Sequence, residues 1–143
     1  MENRIKIFID TNIIITGTFF SGYESLLIKI SGADFVTADV CLEEARNVTS
    51  RSNFKDDTSI ALKKLENTFM VLKVINAEKY SYLLPRAKFL IPKKINDQRV
   101  LAAAMHLQPN YFVSRDTDFD KKNIKQILNM KTAEEILSEL GVL

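Results

Sequence analysis

The sequence predicts an α/β protein, a three-layer α/β/α arrangement around a central parallel sheet. Short β-branched or aromatic runs recur along the chain: Ile5–Ile9, Phe35–Thr37, Met70–Ile75 and Tyr111–Ser114. Longer stretches with apolar residues at helical spacing separate them, and strands alternating with helices favour a parallel sheet covered on both faces. No repeat, low-complexity segment or linker interrupts the pattern, so residues 1–143 read as one domain, long enough to bury a core without staples.

Taken in order, Ile5–Ile9 is too short and too rich in β-branched residues for a helix, and Asp10-Thr11-Asn12 ends it before Ile13-Ile14-Ile15 resumes the apolar run. Ser21 and Glu24 fit a capping box, opening a helix that carries Leu26, Leu27 and Ile30 and stops at Gly32. Phe35–Thr37 is the second strand, after which Asp39 caps a helix from Val40 to about Arg51. A helix over Thr58–Thr68 follows, with Ile60, Leu62 and Leu65 as its apolar positions, then the strand Met70–Ile75. Ala77–Leu84 reads as a helix that Pro85 disturbs or ends, leaving Pro85–Asn96 basic and irregular. Asp97 opens a small-residue helix that stops before Pro109, and Tyr111–Ser114 is the next strand. Ile124–Leu128 is a short last strand, and Thr132 and Glu135 form a capping box for a final helix that Gly141 closes.

Composition narrows the function. The net charge of +2 gives no basic tail, and the single cysteine, Cys41, excludes an internal disulfide and a Cys-based zinc site. Neither a signal peptide nor a membrane span is present, so a soluble cytoplasmic protein is expected. With one histidine, His106, expected at the surface, a Ser-His-Asp triad and histidine metal ligation are disfavoured. The four glycines are scattered and form no phosphate loop.

Several acids do not suit a core or a plain surface. Asp10 stands between two apolar runs, where a lone carboxylate is costly; it reads either as a helix cap or as a metal-binding carboxylate at the carboxyl end of a parallel strand. Asp116 and Asp118 follow the Tyr111 strand in the same way, with Ser114 and Thr117 adding hydroxyl oxygens. Asp97 shares a helix face with Val100, Leu101 and Ala104. Of the adjacent pair on the Asp39 helix, Glu44 lies with Val40, Cys41 and Val48, whereas Glu43 lies with Asp39, Arg46 and Asn47. Glu44 is therefore the acid that needs a partner.

Acids that converge raise one another's pKa, and a hard divalent ion such as Mg²⁺ or Mn²⁺ relieves the repulsion through oxygen ligation. A histidine-poor carboxylate site suits metal-assisted phosphodiester hydrolysis. Cations bracket these acids: Lys88, Lys93, Lys94 and Arg99 around Asp97, and Arg115, Lys121, Lys122 and Lys125 around the second corner. Such runs are often a solvated face; here Lys93, Lys94, Arg99, Arg115 and Lys121 are candidate phosphate contacts.

The ordered set Ile7-Phe8-Ile9-Asp10-Thr11-Asn12, Leu42-Glu43-Glu44, Asn96-Asp97-Gln98-Arg99-Val100-Leu101-Ala102-Ala103-Ala104 and Val113-Ser114-Arg115-Asp116-Thr117-Asp118-Phe119 resembles the PIN-domain nucleases over nearly the whole chain. The resemblance implies a compact PIN-like fold, a Mg²⁺ or Mn²⁺ site and cleavage of single-stranded RNA. By similarity Asp10, Glu44, Asp97 and Asp116 match the acidic quartet, Asp118 is a fifth acid, and Asn12 and Ser114 match the supporting polar residues. Ser114 stands where the family often has Thr, and Ala45 where it often has Leu. A small chain of this kind is similar to VapC-type toxins, which implies a cognate antitoxin protein as partner. Surplus apolar surface on the helices of Thr58–Leu84 points to a homodimer.

Two competing functions are weighed against a metal-dependent endoribonuclease. A non-catalytic PIN-like module for RNA binding or assembly would be favoured by loss of an acid, and none is lost. A phosphatase with an Asp nucleophile resembles D-x-D at the first corner, where this chain has Asn12.

Overall fold

The computed structural model describes residues 4–51 and 57–143. Its four strands, β1 (Ile5–Ile9), β2 (Ala33–Ala38), β3 (Leu72–Ile75) and β4 (Tyr111–Val113), form one sheet in the order β3-β2-β1-β4. All neighbours are parallel, with Ile7 facing Phe35 on one side and Tyr111 on the other. Successive residues of a strand point to opposite faces, yet Ile7, Phe8 and Ile9 are all fully buried. A central strand apolar on both faces requires cover on both, and the helices supply it.

Helices α1 (Thr11–Phe19) and α2 (Tyr23–Ile28) connect β1 to β2, and α3 (Asp39–Arg51) and α4 (Thr58–Phe69) connect β2 to β3. The route back to β4 uses α5 (Ala77–Tyr80), a 3₁₀ turn at Ser81–Leu83, α6 (Leu84–Leu90) and α7 (Ile95–Leu107). After β4 come a 3₁₀ turn at Thr117–Phe119, α8 (Lys122–Lys125) and α9 (Ala133–Glu139). This is the α/β/α architecture with a central parallel sheet that the sequence predicts. Ala102, Ala103 and Ala104 are fully buried, so α7 packs by its backbone and brings its first turn close to the strand ends. No helix among the described residues is long and apolar enough to cross a membrane.

Several local expectations give way to tertiary packing. The Ser21/Glu24 capping box does not form: Gly22 is the N-cap without a side-chain bond, and Glu24 is buried against Arg115. Helix α2 ends at Ile28, so Gly32, at φ 86°, serves the turn into β2. Leu26 is exposed while Leu27 is buried, and in α4 the core face is Ala61, Leu65 and Phe69, with Ile60 outside it. Pro85 starts a helix instead of ending one: it occupies the first turn of α6, where its missing N–H is no loss, and much of the stretch read as irregular is helical. Asp97 does not open α7; Lys94 is its N-cap and Asp97 lies in the first turn, favoured there by the helix dipole.

Nor is Ile124–Leu128 a strand. Ile124 and Leu128, four residues apart, both turn into the core from a helical turn, and the short parallel bridge beside β4 is made by Met130 with Phe112. The capping box at α9 does form, with the Thr132 hydroxyl accepting from the Glu135 N–H at 3.1 Å and the Glu135 carboxylate accepting from the Thr132 N–H at 3.0 Å.

Candidate metal centre

The chain runs outward through β1, β2 and β3, then crosses back to place β4 on the far side of β1. The connections leaving β1 and β4 diverge, and a crevice opens at the carboxyl ends of these strands, where open α/β sheets hold their ligands. Asp10 leaves β1 there, and Asp116 and Asp118 follow β4. Glu44 comes in from α3 and Asp97 from the first turn of α7.

Asp10 meets the helix-cap expectation and stands beside the other acids. It is the N-cap of α1, its Oδ1 accepting the Thr11 N–H at 2.7 Å, and it also lines the crevice. Its Oδ2 accepts the Ser114 hydroxyl at 2.7 Å, and Oδ1 lies 3.7 Å from the Cys41 thiol, which donates to it. Ser114 Oγ in turn accepts the Asp116 N–H at 3.0 Å, and Asp116 Oδ1 accepts the Asp118 N–H at 2.9 Å. The ends of β1 and β4 are thereby stitched together through polar groups that leave the carboxylates facing the crevice. Burial pushes the Asp10 carboxyl up, against the opposing pull of the Ser114 and Thr11 donors. Nothing in its sequence context marks Cys41 as a partner of Asp10, although it stands one helical turn before Glu44 on the same inward face. Burial pushes its thiol up to about 12, so it stays protonated and remains a donor.

A cavity of about 200 Å³ is lined by Asp10, Asn12, Glu44, Asp97 and Asp116 among others. Carboxylate oxygens of Asp97, Asp116 and Asp118 lie within 4.8 Å of one another. Asp97 is pushed up to about 7, by burial first and then by the charges of Asp116, Asp118 and Asp10. Glu44 is half-buried and Glu43 exposed, and burial together with Asp10 raises the Glu44 carboxyl. Asp118 goes the other way: the Lys94 ammonium, 2.8 Å from its Oδ2, holds it below the usual carboxylate range.

The cationic candidates separate. Lys94 reaches the acid cluster itself, whereas Lys93, Arg99 and Lys121 are exposed and do not line the cavity. Arg115 does not line the cavity and pairs with Glu24. His106 is exposed, as expected, and its Nδ1 is 2.8 Å from the Tyr82 hydroxyl.

The donor set suits a hard divalent cation. It is all oxygen, and one Asp97 oxygen (Oδ2) is buried with no hydrogen-bond donor, a costly state that a cation would relieve. Asp10, Asp97, Asp116 and Asp118 would hold such an ion directly or through water. Ser114→Ala removes the hydroxyl that fixes Asp10 and the Asp116 backbone, and is expected to weaken Mn²⁺ binding about tenfold or more in a calorimetric titration.

The same electrostatics give a pH dependence. Folded Asp97 holds its proton more tightly than an unfolded Asp, whose pKa is about 3.9. Between about pH 4 and 7 the folded state therefore binds more protons, and stability falls as pH rises. Asp10 and Glu44 are raised too and act in the same sense. Chelator-treated protein is expected to melt at lower temperature at pH 7.5 than at pH 5.5 (pH values chosen to span roughly this window), and Asp97→Asn to flatten the slope. A melting temperature that climbs over this window would contradict the assignment.

No protein-family model matches the chain, and no curated protein matches it. In three dimensions it is similar to a chain of VapBC2 from Rickettsia felis, whose crystal structure is bound to a DNA fragment from their promoter. The TM-score is 0.67 at 16% sequence identity, over 90% of this chain and 98% of that one. At this identity the likeness is one of fold, and it establishes the PIN-like architecture.

Proposed function

We propose that this PIN-like chain is a Mg²⁺- or Mn²⁺-dependent endoribonuclease that cleaves single-stranded or loop RNA. The observation that carries the reading is the convergence of carboxylates from two strand ends and two helices on one crevice, three of them with oxygens within 4.8 Å. Asp10, Asp97 and Asp116 would be the primary ligands, directly or through water, and Glu44 and Asp118 would complete the site or orient water. When bound, the ion supplies Lewis-acid stabilisation of charge developing on the phosphate oxygens.

The chain's own groups do the rest. Glu44, raised by burial and by Asp10, accepts the proton of the attacking water. Ser114 holds Asp10 in place, and Asn12 lines the same cavity, where its amide would support the carboxylates. Lys93, Arg99 and Lys121 lead the RNA backbone to the crevice by neutralising phosphates.

The likeness to a VapBC2 chain supports a toxin role with a cognate antitoxin protein as partner, in the cytoplasm. Tyr82, Phe89 and Ile95 are exposed by 66%, 85% and 67%, and a homodimer would cover such surface. Sedimentation that shows only monomer at micromolar concentration would remove the dimer from the proposal. The nuclease is tested by incubating mixed structured and unstructured RNAs with the protein in Mg²⁺, in Mn²⁺ and in chelator. Cleavage is expected in either metal and none in chelator. RNA binding without cleavage in any metal would instead favour a non-catalytic RNA-binding or assembly module.

A further inference from the structure

We propose that Lys94 is a built-in competitor of the divalent ion, and that its ammonium sets the ion concentration at which the site loads. The inference rests on the metal centre proposed above and concerns how that centre is regulated. Lys94 is the N-cap of α7, three residues before Asp97, with an extended backbone (φ −127°, ψ 119°) and no side-chain capping bond. Its side chain crosses instead to the turn after β4 and places Nζ 2.8 Å from Asp118 Oδ2. Asp118 belongs to the triad whose oxygens lie within 4.8 Å of one another. An ion held by Asp97 and Asp116, with Asp118 completing the site, would lie close to the ammonium, where like charges repel.

The placement of Lys94 is fixed by the fold. Gln98, buried, donates from Nε2 to the Ile91 carbonyl at 2.9 Å, and the Ile91 N–H bonds the Ala87 carbonyl at 2.8 Å. The link between α6 and α7 is therefore anchored at its start, and the Lys94 backbone stays beside the acids. The side chain itself is 63% exposed, so it has a free path into solvent when a stronger cation arrives. An ordinary surface ion pair is worth little, and a swing away from Asp118 carries a small cost. A single positive charge held at the mouth of a multi-carboxylate site also tempers its repulsion without filling it. A divalent ion neutralises more of that charge and wins once its concentration is high enough.

The test is a Mn²⁺ titration, by calorimetry, of the full chain as wild type, Lys94→Met, Lys94→Arg and Asp116→Asn. Lys94→Met is expected to bind Mn²⁺ about tenfold more tightly than wild type, because the repelling charge is gone. Lys94→Arg keeps the charge and is expected to stay near wild type. Unchanged or weaker Mn²⁺ binding by Lys94→Met would overturn the competition, as would equal tightening by Lys94→Arg. Failure of the metal centre itself looks different: wild type would bind no Mn²⁺, or Asp116→Asn would bind it as well as wild type.

Discussion

Asp10→Asn is expected to lower metal-dependent RNA cleavage by about a thousandfold, the upper end of the loss seen when one preorganised group that stabilises transition-state charge is removed. The fold is expected to survive. Asn keeps an oxygen for the Thr11 N–H, and its amide can donate toward Ser114 Oγ, so the polar stitching between β1 and β4 persists in altered form. Asp10 is only 6% exposed, and burial raises its carboxyl, so replacing a buried charge with a neutral isostere relieves desolvation. The melting temperature of chelator-treated Asp10→Asn should accordingly match or exceed that of wild type above pH 6. Activity within tenfold of wild type in saturating Mn²⁺ would remove Asp10 from the centre. Lost activity with a collapsed melting temperature would mean the residue is structural only.

The largest effect on stability is expected at Phe112, in the middle of β4. Its ring is fully buried, stacks on Phe8 of β1 with centroids 5.3 Å apart, and meets the edge of Phe119 at 5.1 Å. Phe112→Ala deletes the centre of this trio and should cost about 3–5 kcal/mol in urea unfolding, a large part of the roughly 5–15 kcal/mol that holds a typical domain. The effect reaches the acids as well. Phe119 ends the turn that carries Asp116 and Asp118, so a cavity under it loosens the carboxylates, and Mn²⁺ binding should weaken in the fraction that remains folded. A cost below about 1 kcal/mol would show that the site collapses around the missing ring and that β4 is held by other contacts.

The fold and the acids that converge were legible for one reason: an acid in an apolar neighbourhood is costly, and the cost is visible in the sequence. Asp10 between isoleucine runs, Glu44 on the inward face of α3 and Asp97 at the head of a buried helix face all announce themselves in this way. Periodicity alone separated Glu44 from Glu43. What the sequence conceals is pairing between distant elements. Glu24 satisfies a local capping pattern, yet it is buried against an exposed arginine, Arg115, 91 residues away. Lys94 sits among surface cations in the sequence, and only the return of β4 beside β1 brings Asp118 within its reach. Cys41 looks like a small core residue until Asp10 is placed beside it. Pro85 fits the end or the start of a helix equally well, and packing chose the start.

The polar stitch from Ser114 to Asp10 spans 104 residues of chain. It makes the crevice a product of late assembly. While the ribosome is still extending the chain toward Tyr111, β1 has an open edge on one side, and Asp10 lacks both its hydroxyl partner and its companion acids from the second corner. Pairing of such sequence-distant strands is slow compared with forming local helices. The acidic crevice therefore comes into existence only as β4 closes against β1.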